Sequence, residues 1–565
     1  MLTTAQESAL ARVFYIGAPL VTLFIIDGSV TDPVNTPKLF VLGIVAFSAL
    51  GVVLSKAPKF TRMKWVTLAG LPLIFLAVSI EVLISSKAPF SQSFFGSYGR
   101  NNGFLMYALL VLILIAASFL THEGGIKKIV YGLLTAGIIN LIYCGWVLLF
   151  GDFLSWSNPY GNILGTLGNP NFIGAFLGIF GTIWFALAIA PSTHRVIKIV
   201  SFADLPVTVV ETYLSHAIQG RVLLVFGCGL VGFFWLRDRY KSNYVSIGYL
   251  AFGVIVAVLA VAGALQKGPL AQFIYKTSVS LRGQYWLAGW RTGEENPWTG
   301  VGFDSFGDWY RRTRDIKAIT LPGVNTVVNT AHNVPLDMFA FGGWPLFISY
   351  IALTIFVGVT AIRLIAKVRQ YDFVLVALIT GWFCYQLQSL ISINQIGLAV
   401  WGWLFSGLIL GYSYKINRVE KAPNTGSPLK RNSVQKSGQV LTPGLFAGVF
   451  GIIGALIAVP PLSADMKWRS ALLSTQVTSL EQSLQPSYMN PSNTSRYFSS
   501  AQLLEANKFT TQAHQVVVDA LEFNKESFDL WKLLYLLQSS TNIERSEALE
   551  NMKRLDPLNP DVTAN

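Results

Sequence analysis

The chain has 565 residues, of which 52% are hydrophobic and only 13% are charged. A soluble domain carries about 25% charged residues, so this composition excludes an ordinary soluble protein. The formal net charge is +13, but basic residues cluster at the ends of apolar segments. That distribution is typical of topology signals and lipid head-group contacts, so we expect no nucleic-acid partner.

Apolar segments long enough to cross a bilayer as helices recur from the N-terminus to about residue 463. The alternating segments of a β-barrel are absent, which predicts an all-α polytopic membrane protein. We expect twelve core transmembrane helices and one extra span. Their predicted ranges are 9–27, 38–55, 64–85, 103–121, 128–150, 171–191, 200–218, 222–236, 243–264, 333–360, 373–391, 396–413 and 441–462.

The seventh span is the weakest of these segments, because it carries polar residues that are costly at mid-membrane. They are Asp204, Pro206, Glu211 and His216. Charge alternation nevertheless supports this span. The loops after every second span hold most of the loop Lys and Arg residues, and the positive-inside rule places those loops in the cytoplasm. The N-terminus is then inside, and the long loop 265–332 is outside.

The chain therefore divides into a transmembrane domain at 1–413 and three following parts. Residues 414–440 form a polar, basic cytoplasmic linker, and 441–463 form the additional transmembrane helix. Residues 464–565 are a polar extracytoplasmic domain with helical periodicity. The stretch from Ala548 to Pro560 resembles the end of a tetratricopeptide repeat, and a weaker match to the same pattern lies about 32 residues earlier. The alternative interpretation is an unrelated helical hairpin.

Polar motifs gather on the predicted outer face, each at a loop or a span edge. In chain order they lie at 94–103, 165–172, 219–221, 280–286, 296–303 and 329–333. Taken singly, each has a structural explanation, such as an arginine extending to a lipid phosphate or a glycine in a turn. Their convergence on one face favours a shared pocket instead.

Arginines are unexpected on the outer face, because the positive-inside rule disfavours them there. Arg100, Arg221 and Arg282 would nevertheless all face that side. Planar guanidinium groups bind phosphate bidentately, and His332 can take a proton near neutral pH. Arginines beside a histidine suit displacement at a carbon that bears a diphosphate leaving group. No zinc-binding cluster, Walker loop or Asp-x-Asp pair is present, so we expect no metal or other cofactor.

Several of these motifs, in this order, resemble the O-antigen ligase and O-antigen polymerase superfamily. The resemblance covers roughly residues 10–413. It is carried by Gly-Arg-x-x-Gly at 99–103, Gly-Asn-Pro-Asn at 168–171, Gly220-Arg221, Arg282 followed by Trp286, Asn-Pro-x-x-Gly-x-Gly at 296–302, and Ala-His-Asn at 331–333 with Gly342-Gly343 after it. The sequence departs from the family at Gly220, where Ser is usual, and in its thirteenth span and repeat-like tail.

The resemblance implies a bacterial inner-membrane glycosyltransferase with its site outside the cytoplasmic membrane. It implies an inverting, metal-independent transfer of a glycan from undecaprenyl diphosphate to a glycan, lipid or protein hydroxyl. It maps the essential histidine onto His332 and the phosphate-binding arginines onto Arg221 and Arg282. Further candidates for substrate binding are Arg100, Asn171, Asn333 and Tyr285, although Tyr285 could instead pack the loop.

Several functions stay open from the sequence. Ligase, polymerase and protein O-oligosaccharyltransferase activities all fit the resemblance. A lipid-glycan flippase is an alternative of another class, because Asp204 and Glu211 would suit a transport pathway. Against it, the polar motifs lie on one face, whereas transporters build midplane sites from repeats. A scaffold that recruits a protein partner through its C-terminal helices would leave the outer arginines unexplained.

Overall fold

The fold is known from a computed structural model that describes residues 2–56, 62–274, 277–421 and 441–563. Every regular element in those residues is a helix, which confirms the all-α fold class. The first sixteen helices are α1 (Thr4–Leu23), α2 (Asn35–Leu54), α3 (Arg62–Ser85), α4 (Phe90–Phe95), α5 (Phe104–Ser118), α6 (Glu123–Phe150), α7 (Pro170–Ile189), α8 (Arg195–Leu214), α9 (Ile218–Tyr240), α10 (Asn243–Ala264), α11 (Ala271–Ile274), α12 (Thr277–Glu295), α13 (Phe306–Thr313), α14 (Val334–Lys367), α15 (Phe373–Ser389) and α16 (Ile396–Lys421). The remaining helices are α17 (Leu441–Ala458), α18 (Pro460–Ser474), α19 (Val477–Leu484), α20 (Thr494–Ala506), α21 (Thr510–Phe523), α22 (Phe528–Leu536), α23 (Asn542–Leu555) and α24 (Pro560–Thr563).

Eight of the described helices are long and apolar enough to cross a bilayer, and the bent pair α17–α18 would make a ninth. The protein is therefore a polytopic membrane protein. Helices α5 and α15 are apolar but shorter, with 15 and 17 residues. Because α1 and α8 do not meet the same criteria, the count of thirteen spans stays a prediction.

Glycines allow several of these helices to pack at very short distances. A Cβ atom on Gly220 of α9 would lie 2.3 Å from the carbonyl oxygen of Gly174 in α7, and one on Gly178 would lie 2.5 Å from the Gly220 oxygen. The helix α17 packs along α2 in the same way, where Gly43 faces Gly454. Small residues at helix crossings are typical of membrane proteins, and they make α17 an integral part of the bundle.

The predicted outer segments meet at one end of the bundle, and the predicted cytoplasmic segments meet at the other. At the first end, Ser97 donates its backbone N–H to Asp304 of the long loop over 2.7 Å. At the second end, Lys415 pairs with Glu123 over 2.7 Å. The grouping agrees with the charge alternation of the sequence, and which end faces the cytoplasm stays a prediction.

Three predicted boundaries differ from the structure. The expected outer loop at 219–221 is the first turn of α9, because the chain reverses earlier, at 215–217. The linker predicted at 414–440 begins as the last turns of α16, and its residues 422–440 lie outside the described part of the chain. The additional helix predicted at 441–463 bends by 50° between α17 and α18, and α18 continues to Ser474.

In its described residues the long loop 265–332 contains α11, α12, α13 and a short π-helix at Ile319–Gly323. Ion pairs attach the middle of this loop to the C-terminal helices. Arg314 donates to both carboxylate oxygens of Asp556 over 2.7 and 2.9 Å, and both side chains are fully buried. Arg311 pairs with Asp529 over 3.2 Å and with Asp556 over 3.3 Å. Asp556 belongs to the stretch that resembles the close of a repeat, so part of that motif serves this attachment.

The C-terminal helices form a second apolar core of their own. Helices α20 and α21 pack against each other, as do α22 and α23. Ala513, Ala520 and Ala548 are fully buried, which lets paired helices approach closely. The described part of the C-terminal segment is therefore helical, while its assignment to the tetratricopeptide family stays a prediction.

Candidate functional site

His332 occupies a strained backbone position at the end of the long loop. Its φ is +54°, in the left-handed region that non-glycine residues rarely adopt. The turn is held on both sides, because Thr330 Oγ1 accepts the His332 N–H over 3.1 Å and Asp337 accepts the Ala331 N–H over 2.7 Å. Backbone strain of this kind costs about 1–3 kcal/mol and is concentrated at functional sites.

His332 faces a cavity of about 680 Å³ at the end of the bundle where the predicted outer segments meet. Arg100 and Asn171 line the same cavity, so three of the predicted site residues come together. Most other walls come from the segments 27–35 and 155–169, which are joined where Ser155 Oγ donates to Asp27 over 2.9 Å. The predicted shared pocket therefore exists for these three residues.

Arg100 is held beside the cavity by a turn that the buried residue Asp304 fixes. Asp304 accepts the Ser97 N–H over 2.7 Å and the Asn102 N–H over 3.4 Å, while the Ser97 hydroxyl donates to the Asp304 carbonyl over 2.7 Å. The Nη1 atom of Arg100 is buried and has no hydrogen-bond partner among the described residues. Burial lowers the pKa of the guanidinium, and the neighbouring Asp304 opposes this change. An unsatisfied buried donor of this kind is suited to an anionic ligand.

Tyr285 and Arg282, one turn apart on α12, flank His332. The Tyr285 ring lies 5.6 Å from the imidazole centroid, tilted by 32°. Burial, together with the charges of Arg100 and Arg282, lowers the pKa of His332 to about 4. The imidazole is therefore neutral at pH 7, with lone-pair capacity to accept a proton or a hydrogen bond.

Arg221 lies outside the cavity lining, as do the predicted site residues Arg282, Tyr285 and Asn333. Its guanidinium lies 5.3 Å from the centre of the Tyr213 ring. Its Nε atom is buried and has no partner among the described residues. Stacking on an aromatic ring stabilises the cation there. The phosphate-binding role that the resemblance implies for Arg221 stays a prediction.

The two predicted asparagines lie at the starts of helices. Asn333 is the N-cap of α14, where its Oδ1 accepts the Leu336 N–H over 3.1 Å and its Nδ2 donates to Leu390 over 2.9 Å. Both ends of this amide are therefore occupied by the protein. Asn171 follows the N-cap Asn169, whose Oδ1 accepts the Asn171 N–H over 2.9 Å. The side chain of Asn171 is exposed in the cavity wall and remains available to a ligand.

The glycines of the long loop hold the backbone together rather than line the cavity. The helix α14 is broken at Gly342 and Gly343, which frees backbone groups. The freed carbonyls of Ala340 and Phe341 accept the N–H groups of Val301 and Gly302 over 3.0 and 2.9 Å. Gly300 and Gly302 have positive φ, as turn glycines do. The motif at 296–302 thus fixes the loop against α14, the helix that follows His332 in the chain.

Among the residues at the site that the sequence did not indicate are Asp304 and Arg469. Asp304 follows the Gly-x-Gly-Phe motif directly, and its position there could have marked it. Arg469 of α18 lines the cavity but lies far from every motif, and no local signal identifies it. The same helix is anchored nearby, because Asp465 accepts the backbone N–H groups of Thr31 and Asp32 over 3.0 and 2.8 Å.

Among known protein families, the model of the family described as O-antigen ligase matches residues 208–351. The matched segment begins near the end of α8 and runs into α14, so it contains Arg221, Arg282, Tyr285 and His332. No curated protein matches the chain. Members of the matched family are glycosyltransferase-like ligases and polymerases, which supports an enzyme. Residues 208–351 are thus similar to the O-antigen ligase domain, which supports the resemblance to the O-antigen ligase superfamily.

Proposed function

We propose that the protein transfers a glycan from a polyprenyl-diphosphate carrier to an acceptor hydroxyl in the cavity that contains His332. One observation carries the proposal. The cavity contains both the neutral imidazole of His332 and the guanidinium of Arg100, whose Nη1 donor has no partner among the described residues. A neutral imidazole accepts a proton, and a guanidinium holds the charge of a departing diphosphate.

The proposed step is a single displacement at the anomeric carbon of the donor sugar. The acceptor oxygen forms the new bond, and the bond between that carbon and the diphosphate oxygen breaks with its electron pair on the diphosphate. The proton of the acceptor hydroxyl passes to His332. Arg100 and Arg282 stabilise the charge that develops on the leaving group. The reaction inverts the anomeric configuration and uses no metal.

Donor binding also prepares the base in this proposal. The low pKa of His332 follows from burial and from the charges of Arg100 and Arg282. A diphosphate beside the arginines would offset those two charges, so the pKa of the imidazole would rise when the donor is bound. A higher pKa makes the imidazole a stronger base, which ties proton removal to the presence of the donor.

We place the reaction on the extracytoplasmic face of a bacterial inner membrane. The sequence's charge alternation supports this side, because the cavity-lining segments belong to the loops that are poor in basic residues. A cysteine in the long loop tests which side of the membrane the cavity faces. The variant Asn325→Cys should react with an impermeant thiol reagent added from outside, and labelling only after lysis would place the site on the cytoplasmic face.

The transfer assay uses purified protein, a polyprenyl-diphosphate glycan and candidate hydroxyl acceptors: glycans, lipid-linked cores and peptides. Loss of a general base costs about 10²–10⁴-fold in rate, so His332→Ala should reduce transfer by that factor. The matched control is His216→Ala, since His216 also has a positive φ, +56°, and does not line the cavity. Unchanged transfer by His332→Ala would contradict the role given to that residue.

A further inference from the structure

A second cavity, of about 180 Å³, lies where the C-terminal helices meet the long loop. The segment 97–100 separates it from the cavity of His332. Ser97 and Tyr98 line the second cavity, while Gly99 and Arg100 line the first. The hydroxyl of Tyr98 donates to Asp465 of α18 over 2.7 Å, which fixes this dividing segment. The two cavities are therefore neighbours, and the second has walls from two parts of the chain.

The second cavity contains polar groups that the protein leaves free. Asp304 is 1% exposed, and its Oδ1 has no hydrogen-bond partner among the described residues. Asp308 uses Oδ2 to accept from Gln92 and Asn524 over 3.2 and 3.4 Å, which leaves Oδ1 for a ligand. The amide of Asn329 also lines this cavity, and it can both donate and accept.

The charge of the second cavity differs from that of the first. Asp304, Asp308 and Asp529 bring three carboxylates, whereas the guanidinium of Arg311 is already paired with Asp529 and Asp556. A diphosphate would meet repulsion from this set. Free carboxylate and amide oxygens instead suit a neutral ligand with many hydroxyl groups, which supplies the donors that they lack.

One aromatic ring of the second cavity also suits a sugar. Phe498 lines the cavity and is only half-buried. The face of Phe528, by contrast, is covered by the guanidinium of Arg311 at 4.3 Å. The negative face of an aromatic ring attracts positively polarised C–H groups, such as those on one face of a sugar ring. Phe498 therefore suits a sugar ring in the cavity that Asp308 and Asn329 also line.

From these features we infer that the second cavity binds neutral sugar residues of the acceptor. The inference rests on the proposed function, which supplies the acceptor's role. The acceptor would be a glycan, held by the C-terminal helices and the long loop while its reacting hydroxyl enters the cavity of His332. The C-terminal domain then contributes directly to acceptor selection.

The test measures sugar binding without turnover. The full-length protein in lipid nanodiscs is titrated with soluble neutral di- and trisaccharides of hexoses and N-acetylhexosamines, and binding is followed by saturation-transfer NMR. Wild type should bind at least one of them. Asn329→Ala and Phe498→Ala should each weaken that binding about tenfold, the usual effect of one lost polar or aromatic contact.

Matched controls come from exposed positions of the same domain. Phe509→Ala removes an exposed phenylalanine, and Asn542→Ala removes an exposed asparagine, both away from the cavity. These variants should bind sugar as wild type does. Binding that is equally weak in the controls would overturn the inference, because the loss would then come from the domain as a whole.

Several outcomes separate this inference from the proposed function. Wild-type transfer without binding of any saccharide in the panel would overturn the sugar site and leave the transferase standing. Displacement of the saccharide by a lipid-linked donor glycan, or binding of peptides instead, would overturn the acceptor assignment. Sugar binding that persists in His332→Ala, together with lost transfer, would support both proposals. Sugar binding by a wild type that transfers no glycan to any acceptor would contradict the proposed function alone.

Discussion

The imidazole of His332 lies near two guanidinium groups whose charges oppose its protonation. Burial and these charges together lower its pKa to about 4. The sequence predicted His332, Arg100 and Asn171 as pocket residues, because each stood at an outer-facing edge. The low pKa could not be predicted, since it depends on burial and on the charge of Arg282 in α12, which lies 50 positions earlier in the chain.

The pH dependence of transfer should differ between the free and the donor-bound enzyme. His332 must be neutral to accept a proton, so activity falls as the pH falls through its pKa. The free-enzyme pKa of about 4 predicts that kcat/KM stays flat down to weakly acidic pH. The donor-bound pKa should be higher, so kcat should begin to fall at a higher pH than kcat/KM. Steady-state kinetics from pH 4 to 8 measure both, and a fall of kcat/KM centred near the ordinary histidine value of about 6.5 would contradict the account.

Replacing Arg282 should raise the pKa of His332, because the charge of Arg282 lowers it. In the variant Arg282→Gln, the imidazole of the free protein should titrate at a higher pH, and donor affinity should fall because a diphosphate partner is lost. Arg282→Lys keeps the charge and serves as the control. NMR titration of the imidazole measures the first effect. An unchanged pKa of His332 in Arg282→Gln would contradict the influence given to Arg282.

At the scale of elements, the motif glycines explain both a success and a failure of the sequence interpretation. Gly300 and Gly302 have positive φ, which agrees with the structural explanation that the sequence offered, a glycine in a turn. The segment 219–221 was expected to be a loop, but it is helical. Gly220 resembles a turn residue in the sequence, whereas in the structure it lets α9 pack so closely on α7 that any Cβ would lie 2.3 Å from the Gly174 oxygen. Close helix packing and a turn use the same residue, so the pattern alone does not distinguish them.

The break in α14 should tolerate no side chain at Gly343. Its φ is +61°, and a Cβ there would lie 2.2 Å from the carbonyl oxygen of Pro297. Gly343→Ala should therefore lower the free energy of unfolding by about 1–3 kcal/mol or more and disturb the loop that carries His332. Thermal unfolding in detergent measures the loss. The control is Gly248→Ala in α10, where a Cβ meets nothing within 4 Å, and equal unfolding temperatures for both variants would contradict this role of Gly343.

At the scale of the whole molecule, the C-terminal helices pack against the long loop and are not connected to the bundle by the chain alone. The sequence predicted a separate helical domain but did not indicate which of its residues contact the long loop or the cavity. The contacts of Arg469, Asp465 and Asp556 join residues that are more than 200 positions apart, such as Arg314 and Asp556, 242 positions apart. Residues so far apart in the sequence form no periodic or local pattern in it, so only the structure reveals that they pair.

The buried pair of Arg314 and Asp556 should be essential for this attachment. Both side chains are fully buried, so Asp556→Asn leaves an uncompensated charge that costs about 3–5 kcal/mol. Limited proteolysis should then release the C-terminal helices from the loop. The double variant Arg314→Met with Asp556→Leu should recover much of the stability, because it removes both charges. Equal protease resistance of Asp556→Asn and wild type would show that the pair does not hold the domain.

The anomeric configuration of the product tests the central claim most directly. Purified protein is given a polyprenyl-diphosphate glycan of known anomeric configuration and an acceptor that it uses, and the new linkage is assigned by NMR. A single displacement aided by His332 predicts the inverted configuration and one released polyprenyl diphosphate per linkage. A product of retained configuration, or transfer at the wild-type rate by His332→Ala, would contradict the account.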